Sequence, residues 1–161
     1  MIVLGIDPGF DRLGFGLIRD EGGRSTWIEH GCTTTEKTAS FSERVAETRD
    51  ALVILLQRTK PDLVVVEELF FQTNAKTAMK VGMARGVILL SIHDAGIPLV
   101  EITPNQVKQG MTGYGKADKR QIQEMVQRVL KLDNRPTPDD APDALALAIV
   151  GATVSRATRG R

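Results

Sequence analysis

Two short apolar runs end on acids, and this pattern constrains the chain more than any other. Ile2-Val3-Leu4-Gly5-Ile6 closes on Asp7, and Leu63-Val64-Val65-Val66 closes on Glu67. Short apolar runs bounded by turn signals read as buried strands, so each acid stands at the edge of a sheet. Two further acids, Asp140 and Asp143, lie three residues apart at the start of the last helix, on one face of its first turn. Carboxylates gathered at one sheet edge repel each other unless a cation lies among them. The pattern therefore points to a magnesium site suited to phosphate chemistry.

The elements around these acids read as an α/β sheet covered on both faces. Strand-like segments at Ile2–Asp7, Leu13–Arg19 and Ser25–Thr34, punctuated by Gly9 and Gly22-Gly23, form a meander. Ser40-Phe41-Ser42-Glu43 is a capping box, and the helix it opens runs to about Arg58, before Pro61. Leu63–Glu67 is a buried strand. Asn74 caps a helix from Ala75 to about Asp94, and Leu99–Ile102 is a fifth strand. Beyond Pro104 come a short helix at Asn105–Gln109, a flexible loop at Gly110–Gly115, a helix at Asp118–Leu130 and a last helix at Asp139–Val154. The polar, basic end is expected to fray, so one domain spans residues 1–155 and a tail spans 156–161.

Composition narrows the class. The 161 residues are enough for one domain with a substantial core. The single cysteine, Cys32, cannot form an internal disulfide, which fits a reducing cytoplasm. No signal peptide is visible, and the longest apolar stretches are too short for a membrane span. The net charge of +1 hides an asymmetry: residues 1–102 carry 11 Lys and Arg against 14 Asp and Glu, whereas residues 103–161 carry 10 against 6. A basic second half is compatible with a polyanionic partner or with a plain solvated surface.

Each candidate acid has a structural reading beside the chemical one. Asp7 before Pro8-Gly9 can cap a turn. Glu67 and Glu68 point to opposite faces, so at most one joins Asp7, and Glu67 is favoured. Asp140 and Asp143 complement a helix dipole, yet Asp139-Asp140-Ala141-Pro142-Asp143 holds more acid than the dipole needs. Two ions about 3.5–4 Å apart would clamp an in-line displacement at phosphorus. His30 and His93 lack metal-ligand spacing and read as structural or surface residues.

Gly5-Ile6-Asp7-Pro8-Gly9, Val66-Glu67-Glu68-Leu69-Phe70, Ala84-Arg85-Gly86, Gln106-Val107-Lys108-Gln109 and Asp140-Ala141-Pro142-Asp143-Ala144-Leu145-Ala146 occur in this order. Together they resemble the RuvC family of bacterial Holliday-junction resolvases, over nearly the whole chain from about residue 2 to residue 155. The resemblance implies a ribonuclease H-like fold with a five-stranded mixed sheet. It also implies a homodimer whose two sites nick opposite strands of a four-way DNA junction, in homologous recombination and DNA repair. By the same resemblance Asp7, Glu67, Asp140 and Asp143 bind magnesium and catalyse hydrolysis, with manganese able to substitute. The resemblance further implies that Lys108 and Lys119 act near the scissile phosphate, that Phe70 meets junction bases, and that RuvA and RuvB are partners.

The residues themselves allow a DNA surface and a dimer. Phe70 and Phe71 follow the catalytic strand, and an unstacked base on such a ring is worth ~1–3 kcal/mol. Gly110–Arg120 combines glycines, Tyr114 and basic residues ahead of a helix start, so that Lys108, Lys116, Lys119 and Arg120 would neutralise DNA phosphates. The helix from Ala75 to His93 is apolar nearly all round, so one face meets the sheet and the other needs a partner, from this chain or from a second copy. An actin-like ATPase or sugar kinase would share the first phosphate motif but needs two domains. A non-catalytic junction-binding module would tolerate loss of the acids.

Overall fold

The structure is a computed structural model that describes residues 1–9, 11–68 and 75–159. Strands β1 (Ile2–Pro8), β2 (Arg12–Glu21) and β3 (Arg24–Thr34) form the meander. Helix α1 (Phe41–Thr59) leads to β4 (Leu63–Glu67), and α2 (Ala75–Asp94) leads to β5 (Leu99–Ile102). Helices α3 (Pro104–Thr112), α4 (Lys119–Leu130) and α5 (Asp140–Arg159) complete the chain. The sheet order is β3-β2-β1-β4-β5, antiparallel among the first three strands and parallel from β1 through β4 to β5. That order and polarity are those of the ribonuclease H-like fold. Among the described residues no helix is long and apolar enough to cross a membrane.

Strand alternation divides the core in two and decides where the acids point. Val3, Leu63 and Val65 pack in the cluster that holds α3, α4 and α5. Leu4, Ile6, Val64 and Val66 pack with Leu52, Leu55, Ile88 and Ile92 of α1 and α2. Continuing the alternation by one residue turns Asp7 and Glu67 toward the α3–α5 face. The parallel register pairs Ile6 with Val66, so the two acids emerge side by side where the ladder ends.

Helix α5 lies unusually close to the sheet because glycines line its bed. A Cβ on Gly5 would come within 1.9 Å of the Ala144 carbonyl oxygen, and one on Gly14 within 2.7 Å of the Asp140 carbonyl oxygen. Only bare backbone leaves room for that approach. Ala141, Ala144 and Ala148 present a correspondingly thin helix face and are wholly buried.

Several boundaries differ from those expected, most by one or two residues, and three of them show a physical cause. Helix α5 continues to Arg159, so the segment from Ser155 does not fray there: Ser155 is buried, and Arg156 forms an ion pair with the buried Asp20. Helix α3 runs through Gly110 to Thr112, where a loop was expected, because Gly110 packs on Val150 and Met111 is buried. Packing there overrides the poor helix propensity of glycine. Gly113, at φ 72°, then ends α3 in the left-handed region. Finally, Asp118 is the cap of α4 and not its first residue, with a capping box to Gln121. The Ser40 box stands as expected, whereas Asn74 lies outside the described residues.

Candidate active site

A row of residues across the sheet builds the floor of the site. Asp7 pairs with Gly14, and Gly14 with Cys32, in neighbouring antiparallel strands. Asp140, at the start of α5, lies over the bare Gly14 between them. Its Oδ2 is 3.6 Å from the Cys32 thiol and 3.5 Å from Nη1 of Arg12. One turn further along α5, Asp143 faces the start of α4. The Asp118 capping box fixes that start: Gln121 N donates to Asp118 Oδ1 at 2.8 Å, and Asp118 N donates to Gln121 Oε1 at 2.9 Å. Lys119 is therefore a cation at the positive end of a helix dipole. Its Nζ sits 2.8 Å from Asp143 Oδ2, which offsets that unfavourable placement.

Asp7, Glu67 and Asp143 share a cavity of about 270 Å³ with Lys108 and Lys119, over an apolar floor of Val107, Ile122 and Leu147. A larger groove of about 510 Å³ lies elsewhere, between the C-terminal parts of α1 and α2, and lacks a comparable cluster of acids. The electrostatics of the acid cavity are strained toward protonation. Burial first, then the negative charges of Glu67, Asp143 and Asp140, push the Asp7 carboxyl up from 3.8 to about 7. Burial and Asp143 raise Glu67, and burial raises Asp143 despite the opposing pull of Lys119. The Lys119 ammonium is itself raised, chiefly by its hydrogen bond to Asp143. The Cys32 thiol is raised by burial and by the nearby Asp140 charge.

The acids are thus electrostatic neighbours without forming a closed ligand set. Among the described residues, no three Asp, Glu, His or Cys side chains are arranged to share one metal ion. Asp143 is engaged by Lys119, and Asp140 faces Arg12 and Cys32.

Other expected residues are distributed unevenly. Glu68 is exposed, which agrees with Glu67 as the inward member of the pair. Lys116 is exposed in the turn before α4 and does not line the cavity, and Arg120 is turned to Glu124 at 2.9 Å. Phe70 and Phe71 lie outside the described residues. His30 accepts a hydrogen bond from Trp27 Nε1 at 2.9 Å, a structural role. Sequence reasoning missed Arg12 and Cys32 at Asp140. The meander register could have found both, since it returns residues 12–14 beside Asp7 and sets Cys32 opposite Gly14. Gly9 is needed for room, because a Cβ there would meet the Arg12 carbonyl oxygen at 2.6 Å.

Residues 3–151 match the family described as "Crossover junction endodeoxyribonuclease RuvC". The chain belongs to the RuvC family. RuvC of Thermosipho melanesiensis is 47% identical over 148 residues, which is 92% of this chain and 94% of the relative. RuvC of Desulforamulus reducens is 47% identical over 161 residues, covering 100% of this chain and 99% of the relative. Both carry the description crossover junction endodeoxyribonuclease. The structure of Thermus thermophilus RuvC in complex with a Holliday junction substrate superposes with a TM-score of 0.92 at 34% identity, covering 98% of this chain and 96% of that one. Nucleases of the RuvC family are metal-dependent.

Proposed function

We infer that this chain is a crossover junction endodeoxyribonuclease, a magnesium-dependent hydrolase that resolves four-way DNA junctions by paired, symmetric nicks in recombination and repair. The observation that carries the reading is the acid cavity of Asp7, Glu67 and Asp143 beside Lys108 and Lys119, in a chain of the RuvC family.

The residues present fit a magnesium ion by their chemistry. Asp7, Glu67, Asp140 and Asp143 offer only carboxylate oxygens, the donors a hard cation takes. Burial first, and the neighbouring acids second, disfavour the charged forms of Asp7, Glu67 and Asp143, a penalty that divalent charge would offset. These four acids are assigned as the ligands, with two ions per site as the working stoichiometry and manganese as a substitute. Magnesium, when bound, supplies the positive charge that activates a water and stabilises the leaving 3′ oxygen.

The chain's own residues do the rest. Lys119 holds an ammonium at the cavity mouth, where it meets the charge of the scissile phosphate. Lys108 brings a second cation from α3. The apolar floor of Val107, Ile122 and Leu147 excludes water and strengthens each of these charges. The exposed Lys116 and Arg120 track the DNA backbone and make binding fall with salt. Phe70 is assigned to a junction base on the strength of the family resemblance.

A homodimer supplies the paired cuts. Met79 (63% exposed), Met83 (52%) and Leu90 (59%) form an uncovered apolar stripe on α2. A second copy seated there buries the stripe and places a second site about a twofold axis. RuvA and RuvB, acting in the cytoplasm, complete the expected partners.

The test is incubation with four-way, duplex and single-stranded DNA, with magnesium or with EDTA. Symmetric nicks confined to the four-way substrate and to the magnesium arm are expected. Equal cleavage of duplex, or cleavage in EDTA, overturns the reading. Light scattering that finds only monomer at micromolar concentration removes the dimer.

A further inference from the structure

The Ala84-Arg85-Gly86 motif has no part in the cavity, yet Arg85 reaches the back of one of its walls. Helix α2 carries this guanidinium, and its side chain is only 16% exposed. Nη2 donates to Glu101 Oε1 at 2.5 Å, and Nε donates to the main-chain carbonyl of Glu67 at 3.3 Å. Glu101 pairs with Val66, and Val66 packs with α1 and α2, so Arg85 approaches β4 from the face opposite the cavity. Glu67 turns its side chain into the cavity from the other face.

The location matters because β4 ends there. The last described rung of its ladder to β5 is Glu68 N donating to the Ile102 carbonyl at 2.8 Å. Beyond Val66 the one described residue on the α2 face of the strand, Glu68, is exposed. One charged fork, anchored by Glu101, therefore clamps the peptide that sets the direction of the Glu67 side chain. A planar guanidinium can hold two acceptors at once, which a lysine ammonium on a flexible stem does less well.

We propose that Arg85 is a positioning residue for Glu67, and that it makes the geometry of the acid cavity depend on where α2 sits. The proposal rests on reading Glu67 as a metal ligand. Groups that orient a ligand from behind commonly change metal affinity 10–100-fold when removed. The same helix exposes Met79, Met83 and Leu90 on its outer side, so a partner docked there bears on Glu67 through Arg85.

The experiment measures Mn²⁺ binding by electron paramagnetic resonance, and amide exchange at Glu68, in wild type, E67Q, R85Q, R85K and E101Q. Exchange at Glu68 needs neither metal nor DNA. R85Q is expected to weaken Mn²⁺ binding about tenfold and to raise Glu68 exchange by a similar factor. Its kcat falls, while junction affinity in EDTA stays within about twofold of wild type, because the DNA-facing side chains are untouched. R85K and E101Q, which each keep half of the arrangement, fall between. E67Q separates the two claims. Unchanged Mn²⁺ binding in E67Q sinks the ligand reading. Weakened binding in E67Q with wild-type binding and Glu68 exchange in R85Q sinks the positioning role alone. If R85Q does not fold, wild-type values in both R85K and E101Q sink it equally.

Discussion

Asp7→Asn should make the metal-free protein more stable while removing its cleavage activity. The Asp7 carboxyl is raised from 3.8 to about 7, so the folded chain holds a proton there that the unfolded chain has already released. Between these values the native state binds more protons, and stability falls as pH rises. A displacement of about 3 pH units, at roughly 1.36 kcal/mol each, makes ionised Asp7 cost the fold about 4 kcal/mol above pH 7. The raised Glu67 and Asp143 act in the same direction. Asparagine removes the charge at equal size, at the expense of an amide that must find partners. A net gain of roughly 2–4 kcal/mol near pH 8 in EDTA follows, or about 5–15 °C in Tm for a chain of this length. Near pH 4 the gap should shrink below about 1 kcal/mol, because both proteins are then neutral at this position in the fold. Magnesium narrows it from the other side, by stabilising wild type and not the variant. Urea denaturation at the two pH values, with EDTA or magnesium, reads all of this. A variant no more stable than wild type near pH 8, or a gap that ignores pH, refutes the electrostatic argument. Junction binding in EDTA should persist, and magnesium-dependent nicking by the variant would contradict its catalytic assignment.

Lys119→Met breaks an ion pair whose members are 56% and 31% exposed, so stability should move by less than about 1 kcal/mol. Cleavage should fall by about 100-fold or more, since an oriented charge at the reacting phosphate is lost; a loss under about fivefold in single-turnover kinetics argues against the role. Gly5→Ala forces a Cβ to within 1.9 Å of the Ala144 carbonyl oxygen, so α5 must lift from the sheet. More than about 3 kcal/mol should be lost in urea unfolding, and an unchanged midpoint would show that α5 is not held at this distance. Arg156→Ala strands Asp20, whose side chain is 3% exposed: Arg156 Nη1 donates to its Oδ2, and its Oδ1 has no hydrogen-bond partner among the described residues. A loss of about 3–5 kcal/mol is expected, and a loss under about 1 kcal/mol would mean that the end of α5 is loose after all.

Much of this molecule is legible without coordinates, for reasons that are local. Ile2–Ile6 and Leu63–Val66 are short, apolar and interrupted by acids, so strand identity, strand end and candidate chemistry are written together. Ser40 and Glu43 announce α1 because a capping box needs only residues three apart. The choice of Glu67 over Glu68 follows from a side-chain period of two. What tertiary structure decided involves groups distant in the chain. No local signal says that Ser155 will be buried or that Arg156 will find Asp20, so the last helix looked shorter than it is. Likewise the helix passes through Gly110 where Val150 lies against it and Met111 is buried. The partners of the acids, Lys119 on Asp143 and Arg12 with Cys32 on Asp140, depend on how far glycines let α5 sink onto the sheet. Which residues carry charge is a property of the chain, but what each charge meets is set by the distance between packed elements, and a sequence does not state that distance.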